Sequence, residues 1–119
     1  MRAAVGRDRG MVTAELAAAL PVLVLVLAVA LSAVAVVGAR VRLQDAAREA
    51  ARASARGDPG VGRSLARAAA PGATITVARS GDAVAAVATE QLHPLGDLLP
   101  TLTVSERAVA AVEPQGSSP

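Results

Sequence analysis

An uncharged segment at residues 16–39, LAAALPVLVLVLAVALSAVAVVGA, constrains this chain more than any other feature. As a helix rising about 1.5 Å per residue, its 24 residues extend about 36 Å, whereas roughly 20 apolar residues suffice to cross a bilayer. A buried helix of a soluble protein would need a large surrounding core. A chain of 119 residues without Phe, Trp or Tyr cannot supply one. The segment therefore predicts a membrane-spanning helix.

The residues that follow the span favour continuation of the same helix. Residues 40–56, RVRLQDAAREAARASAR, consist largely of Ala and Arg, both strong helix formers, so the helix is expected to reach Arg56. The sequence GDPG at 57–60 then ends it. A stripe of small and apolar residues on this part is expected to be a packing surface or part of a solvated helix: Val41, Leu43, Ala46, Ala47, Ala50, and Ala53 or Ser54.

Later patterns predict one more helix and a small antiparallel sheet. A short helix is expected within 61–70, before Pro71 and Gly72. The alternating segments ATITVA at 73–78 and AVAAVATE at 83–90 predict a hairpin around a Ser-Gly-Asp turn. We therefore expect an α+β chain, with a long N-terminal transmembrane, pilin-like helix followed by a short helix and a small antiparallel β element.

The sheet is expected to continue beyond the hairpin. A third strand is predicted within 101–112, where the alternation slips at 105–107, either because of a bulge or because the strand assignment fails there. The loop at 92–100 is broken by prolines and a glycine, and its leucines are expected to fill the core of the small domain or, alternatively, to form a docking surface: Leu92, Leu95, Leu98 and Leu99.

The predicted organisation has five parts. They are a basic leader at 1–10, a long helix at 11–56 with its span at about 16–39, a linker and short helix at 57–72, a small β-rich exported region at 73–113, and a disordered tail at 114–119.

Composition gives no support to catalysis, to a cofactor or to a metal site. Cysteine is absent and His93 is the single histidine, so no Cys or His cluster with metal-ligand spacing exists. The glycines at 57–62 are not followed by the lysine and hydroxyl residue of a phosphate-binding loop. Basic residues without aromatic neighbours do not favour nucleic-acid binding. We expect no enzyme activity, no cofactor, no nucleic-acid partner and no small-molecule substrate.

The junction between the basic N-terminus and the span carries the functional signal. Its sequence is GMVTAELAAALPVLVLVL, preceded by Arg2, Arg7 and Arg9. Glu15 lies within this helix, where a carboxylate is costly unless it pairs or remains at headgroup depth.

This junction resembles the prepilin processing site of type IV pilin-like proteins, and more closely the TadE-like minor pilins or pseudopilins of tight-adherence systems. The resemblance covers residues 8–27 and 44–58, about a third of the chain. It implies cleavage after Gly10 by a prepilin peptidase, with Met11 as the new N-terminus and Glu15 pairing with the amino terminus of a neighbouring subunit. The C-terminal part lacks the cysteines and aromatic residues of many pilin domains, so the resemblance concerns the helix.

The implied partners are membrane lipid, the prepilin peptidase, other pilin or pseudopilin subunits and the tight-adherence assembly machinery. Charge alone leaves the orientation open, because three arginines precede the span and five occur at 40–56. Prepilin processing implies a single-pass protein of the cell membrane or a surface pilus, with a cytoplasmic N-terminus and an extracytoplasmic C-terminal region.

Two other interpretations remain open from the sequence. In the first, residues 1–35 are a signal peptide of a secreted protein, with small-residue cleavage patterns ending at Ala30 or Ala35. In the second, the chain is an unprocessed single-pass membrane interaction protein, which leaves the spacing of Gly10 and Glu15 unexplained.

Overall fold

The computed structural model describes the backbone of residues 5–114 and the side chains of residues 8–114. Most of the predicted leader and one residue of the predicted tail fall within these bounds; residues 1–4 and 115–119 lie outside them. The elements, in chain order, are helices α1 (Val5–Ala55) and α2 (Pro59–Ala69), strands β1 (Thr74–Ser80) and β2 (Ala83–Leu92), a 3-10 turn (Gly96–Leu98) and strand β3 (Leu102–Ala111). The predicted α+β fold is confirmed.

Helix α1 is one continuous element across the apolar segment. It begins at Val5, so the helix includes the Gly10–Met11 peptide bond, and it contains Pro21, which removes one backbone hydrogen bond. The helix ends in a Schellman arrangement: Gly57 has φ of +93°, its N–H donates to the Ser54 carbonyl, and the Asp58 N–H donates to the Ala53 carbonyl at 2.9 Å. This termination confirms that the helix stops at the Gly-Asp-Pro-Gly sequence.

The chain divides into two compact units, the first ending at Val34 and the second beginning at Ala35. The first unit holds most of the apolar segment as helix. None of its most apolar 18-residue window is buried by the described part of the chain, and the helix is long and apolar enough to cross a membrane. In this unit, large apolar side chains are therefore exposed on every face of the helix, as expected of a helix solvated by lipid rather than of a core helix.

The second unit has a core built from small side chains. On α1 the predicted stripe is a packing surface, because Leu43, Ala46, Ala47 and Ala50 are fully buried, whereas Val41 is exposed. They pack with buried residues of α2, the following loop and the sheet: Ala66, Ala70, Ala86, Ala88 and Val104. The stripe thus packs within the chain's own second unit.

The sheet has the order β1-β2-β3 with both neighbouring pairs antiparallel. Gly81 supplies the left-handed turn of the first hairpin, with φ of +59°. The pairing of β2 with β3 runs residue for residue from Ala83–Ala111 to Leu92–Leu102, so the third strand forms without a bulge. The apparent slip in alternation has a simple cause: Glu106 follows Val104 and precedes Ala108 on the face that is partly buried.

The prediction that the loop leucines form the core is wrong. Leu98 is 86% exposed and Leu99 is also exposed, and only Leu92 of the predicted set packs against the core as a half-buried residue. The physical reason is that the alanines of α1, α2 and β2, together with Leu43 and Val104, already fill the interior between helix and sheet. The loop lies beyond the paired ends of β2 and β3 and cannot reach that interior.

Candidate processing and assembly site

The predicted scissile bond lies in the first unit, on the exposed N-terminal part of α1. Gly10 is exposed, and a Cβ atom built there would meet no side chain or distant backbone of the described chain within 4 Å. Its φ is not positive. A glycine inside a helix costs about 0.5–1 kcal/mol relative to alanine, so the fold itself does not explain this residue.

A side-chain hydrogen bond crosses the same peptide bond. The Thr13 hydroxyl donates to the Arg9 carbonyl oxygen at 2.9 Å, an interaction that spans one helical turn around Gly10 and Met11. Met11 is 71% exposed. A protease acting here would therefore meet an accessible bond, but one that is held in helical conformation.

Glu15 lies one helical turn after Met11 on the same helix. Its side chain is exposed and belongs to the apolar helix, with Leu16 as its next neighbour in sequence. Residues four apart share a helix face, and the rise between these two is about 6 Å. A carboxylate at this position can reach an ammonium group that lies about one helical turn away, whether on its own chain or on an adjacent one.

Comparison with known proteins now bears on these residues. A family model described as TadE-like protein matches residues 10–52, which begin at the predicted cleavage glycine. A relative from Mycobacterium tuberculosis (strain ATCC 25618 / H37Rv), named Apoptosis inhibitor Rv3655c, is 46% identical over 101 residues, covering 84% of this chain and 78% of the relative. This chain belongs to the TadE-like family. No solved structure gives a significant match.

The family match runs without a break from the first stretch that carried the resemblance, residues 8–27, into the second, residues 44–58. It includes Gly10, Met11 and Glu15, and it continues through most of the stripe of small residues, up to Arg52. The structure brings the three predicted site residues together on adjacent turns of α1. Their roles in processing and assembly remain predictions.

A basic groove in the second unit of this TadE-like protein was not predicted from the sequence. It lies between α1 and β3, has a volume of about 290 Å³, and its polar lining consists of Gln44, Arg48, Arg52 and Arg107, with no acidic residue. The spacing of Arg48 and Arg52 by one turn was visible in the sequence. The approach of Arg107 depends on the register of β3 and gave no local signal.

A second feature that was missed is a buried carboxylate oxygen on β2. Glu90 Oε2 is buried and has no hydrogen-bond partner among the described residues. A Cβ atom built at Gly72 would come within 2.7 Å of the other oxygen, Oε1, so glycine makes room for this side chain. In residues 8–114 no group of three or more His, Asp or Glu is arranged to hold a metal ion.

Proposed function

We propose that this TadE-like protein is a minor pilin or pseudopilin, cleaved after Gly10 by a prepilin peptidase, that takes part in assembly of a tight-adherence pilus or a related secretion apparatus. The observation that carries the proposal is the coincidence of three features on one exposed helix. They are a glycine that the fold does not require, an accessible bond after it, and a carboxylate one turn later. Its role is structural rather than catalytic.

Glu15 is costly within an apolar helix unless its charge is paired. An ionised carboxylate in an apolar phase is expensive, and an uncharged helix surface offers it no partner. Cleavage after Gly10 would create an ammonium group at Met11. Pairing Glu15 with such a group offsets part of the desolvation cost and favours one register between neighbouring helices. This accounts for a carboxylate at a position where an apolar residue would insert more easily.

The proposed topology follows from processing. The leader, which contains Arg7 and Arg9, remains cytoplasmic, the apolar part of α1 spans the membrane, and the second unit is extracytoplasmic. Under this proposal the small-residue patterns ending at Ala30 and Ala35 lie within the retained helix α1 and are not cleavage sites. The family match also extends across both of them. Partners under this proposal are lipid, the peptidase, and other pilin or pseudopilin subunits.

The role of Glu15 can be separated from insertion and cleavage by substitution. Glu15→Gln keeps the shape and removes the charge, so the variant should insert in membranes and lose its leader normally but give fewer cross-linked multimers. Asp45→Asn is the matched control, since Asp45 is an exposed carboxylate of the same helix outside the span. Because the chain contains no cysteine, a single introduced cysteine makes cross-linking specific. Unchanged multimers in Glu15→Gln, or an equal loss in Asp45→Asn, would contradict the proposed role.

Inhibition of apoptosis is a second candidate function, favoured only by the 46% identity to the relative whose name states it. The test is to express the chain in cells treated with an apoptotic stimulus and to count surviving cells. A scrambled second unit on the same helix serves as the control. Equal survival with both proteins would reject this candidate and leave the assembly function unaffected.

A further inference from the structure

Strand β3 is an edge strand of the second unit, and among the described residues only β2 pairs with it. The sheet order β1-β2-β3 places β2 on one side of β3, and the two strands pair residue for residue. Strand β1 forms the other edge, where helix α2 approaches it. Proteins commonly protect a free edge with proline, a bulge, a charge or a covering element. Strand β3 has neither proline nor bulge; its charges are Glu106, on the partly buried face, and Arg107, which is exposed.

The basic groove runs along this free edge. Its lining on β3 consists of four consecutive residues: Arg107, Ala108, Val109 and Ala110. Side chains of a strand alternate between two faces, so a groove that touches four residues in a row borders the edge of the strand rather than one face. Strand β2 occupies the opposite edge. The groove therefore lies where an additional strand would pair with β3.

The side chains around the groove favour an anionic occupant. Arg48 and Arg52 line it from α1, Arg107 lines it from β3, and all three are exposed. The acidic residues of the same part of α1, Asp45 and Glu49, do not line the groove. An edge with this charge repels a basic strand and attracts an acidic one.

The spacing of the two helix arginines suits an extended chain. Arg48 and Arg52 are one turn apart, a rise of about 6 Å along α1. Side chains on one face of a strand recur every second residue, about 6.6 Å apart. Carboxylates at alternate positions of an added strand can therefore each meet one arginine. A small anion could use the arginines but not the main-chain groups of β3.

We propose that an extended, acidic segment of another protein pairs with β3 as a fourth strand and places its carboxylates in the basic groove. Main-chain hydrogen bonds to β3 supply affinity, and the arginines select acidic side chains. A second copy of this chain suits the site less well, because pairing of two β3 edges would bring a second set of three arginines to the same place. Such a site depends on the second unit alone, and not on processing at Gly10 or on the position of the span.

The test uses the full chain in detergent and synthetic peptides of about six residues, the usual length of a strand. The acidic peptide alternates Glu and Thr. Three control peptides replace Glu by Gln, replace Glu by Lys, or keep Glu and carry N-methyl groups that remove the main-chain donors. Fluorescence anisotropy of the labelled peptides measures binding, and hydrogen exchange of the β3 and β1 amides locates it.

Substitutions separate the groove from the rest of the basic surface. Arg48→Gln and Arg52→Gln each remove one charge of the groove. Arg67→Gln is the matched control, because Arg67 is an exposed arginine of α2 that does not line the groove. Each groove variant should bind the acidic peptide about 1.5–5-fold more weakly, the range of one exposed ion pair, and the control should bind it unchanged.

The expected result is that the acidic peptide binds more tightly than all three control peptides and slows exchange of β3 amides but not of β1 amides. Equal binding of the Lys peptide, or unchanged affinity in both groove variants, would overturn the selection by charge and with it the proposal. Equal binding of the N-methylated peptide would indicate a charge contact without strand pairing and would also overturn it. Slow exchange of β3 amides without peptide, increasing with protein concentration, would identify a second copy as the occupant and would contradict the proposal.

Discussion

Gly62 is the position at which a single methyl group should separate the two helices of the second unit. A Cβ atom there would lie 2.9 Å from the Ala53 Cβ and 3.1 Å from the Ala50 carbonyl oxygen. Because one of these atoms belongs to the α1 backbone, the helices must move apart. Overpacking typically costs about 1–3 kcal/mol. The helix propensity gained by replacing glycine with alanine returns about 0.5–1 kcal/mol. The difference is a net loss for Gly62→Ala of about 1 kcal/mol at the middle of both ranges and about 2.5 kcal/mol at most, or roughly 5–70-fold in the opening equilibrium.

Gly60 provides the control within the same short helix. A Cβ atom at Gly60 meets no side chain or distant backbone of the described chain within 4 Å. Gly60→Ala therefore gains helix propensity without a steric clash. It should leave the free energy of unfolding of the second unit equal or slightly higher. Hydrogen exchange of the β2 amides, measured by mass spectrometry on the full chain in detergent, reports the opening of the second unit. Equal exchange rates in the two variants would refute the close approach of α1 and α2.

Three further substitutions test the core by the same exchange measurement. Leu43→Ala removes a fully buried side chain and should destabilise the second unit by about 2–5 kcal/mol, whereas unchanged exchange would place Leu43 outside the core. Gly81→Ala puts a side chain at φ of +59° and should cost about 1–2 kcal/mol; no effect would mean that the turn is not left-handed. Glu90→Met removes a buried oxygen without a hydrogen-bond partner among residues 8–114, so slower exchange is expected, and faster exchange would reveal a partner for the carboxylate.

Local patterns in the sequence were sufficient for the order of helices and strands, although α1 begins at Val5 rather than at Met11. The uncharged run at 16–39 predicts an apolar helix that is not buried in a core, because the chain is too short to build a core around a helix of that length. Alternation at 73–78 and 83–90 predicts the hairpin because strands expose alternate faces, and Gly-Asp-Pro-Gly ends α1 as expected. The predicted short helix is confirmed as well, although it begins at Pro59 rather than at Val61.

Tertiary contacts were the part that patterns could not predict. The leucines of the loop at 92–100 were expected in the core because little else in the small domain could fill one. The interior instead uses mostly alanines, together with Leu43 and Val104. The close approach of α1 and α2, where Gly62 meets Ala53, is visible only in the structure. The groove of Arg48, Arg52 and Arg107 likewise depends on the strand register. The proposed processing site is a prediction from the motif, and only the exposure of its residues required the structure.

The central claim is that this TadE-like protein is matured by cleavage after Gly10. The most direct test is the N-terminal residue of the mature protein, determined by mass spectrometry of membrane fractions with and without a functional prepilin peptidase. The account predicts a start at Met11 that depends on the peptidase, and its loss when Gly10 is replaced by a bulky residue such as leucine. A start near Leu31 or Val36 would indicate a secreted protein, and an intact Met1 in the presence of active peptidase would contradict processing altogether.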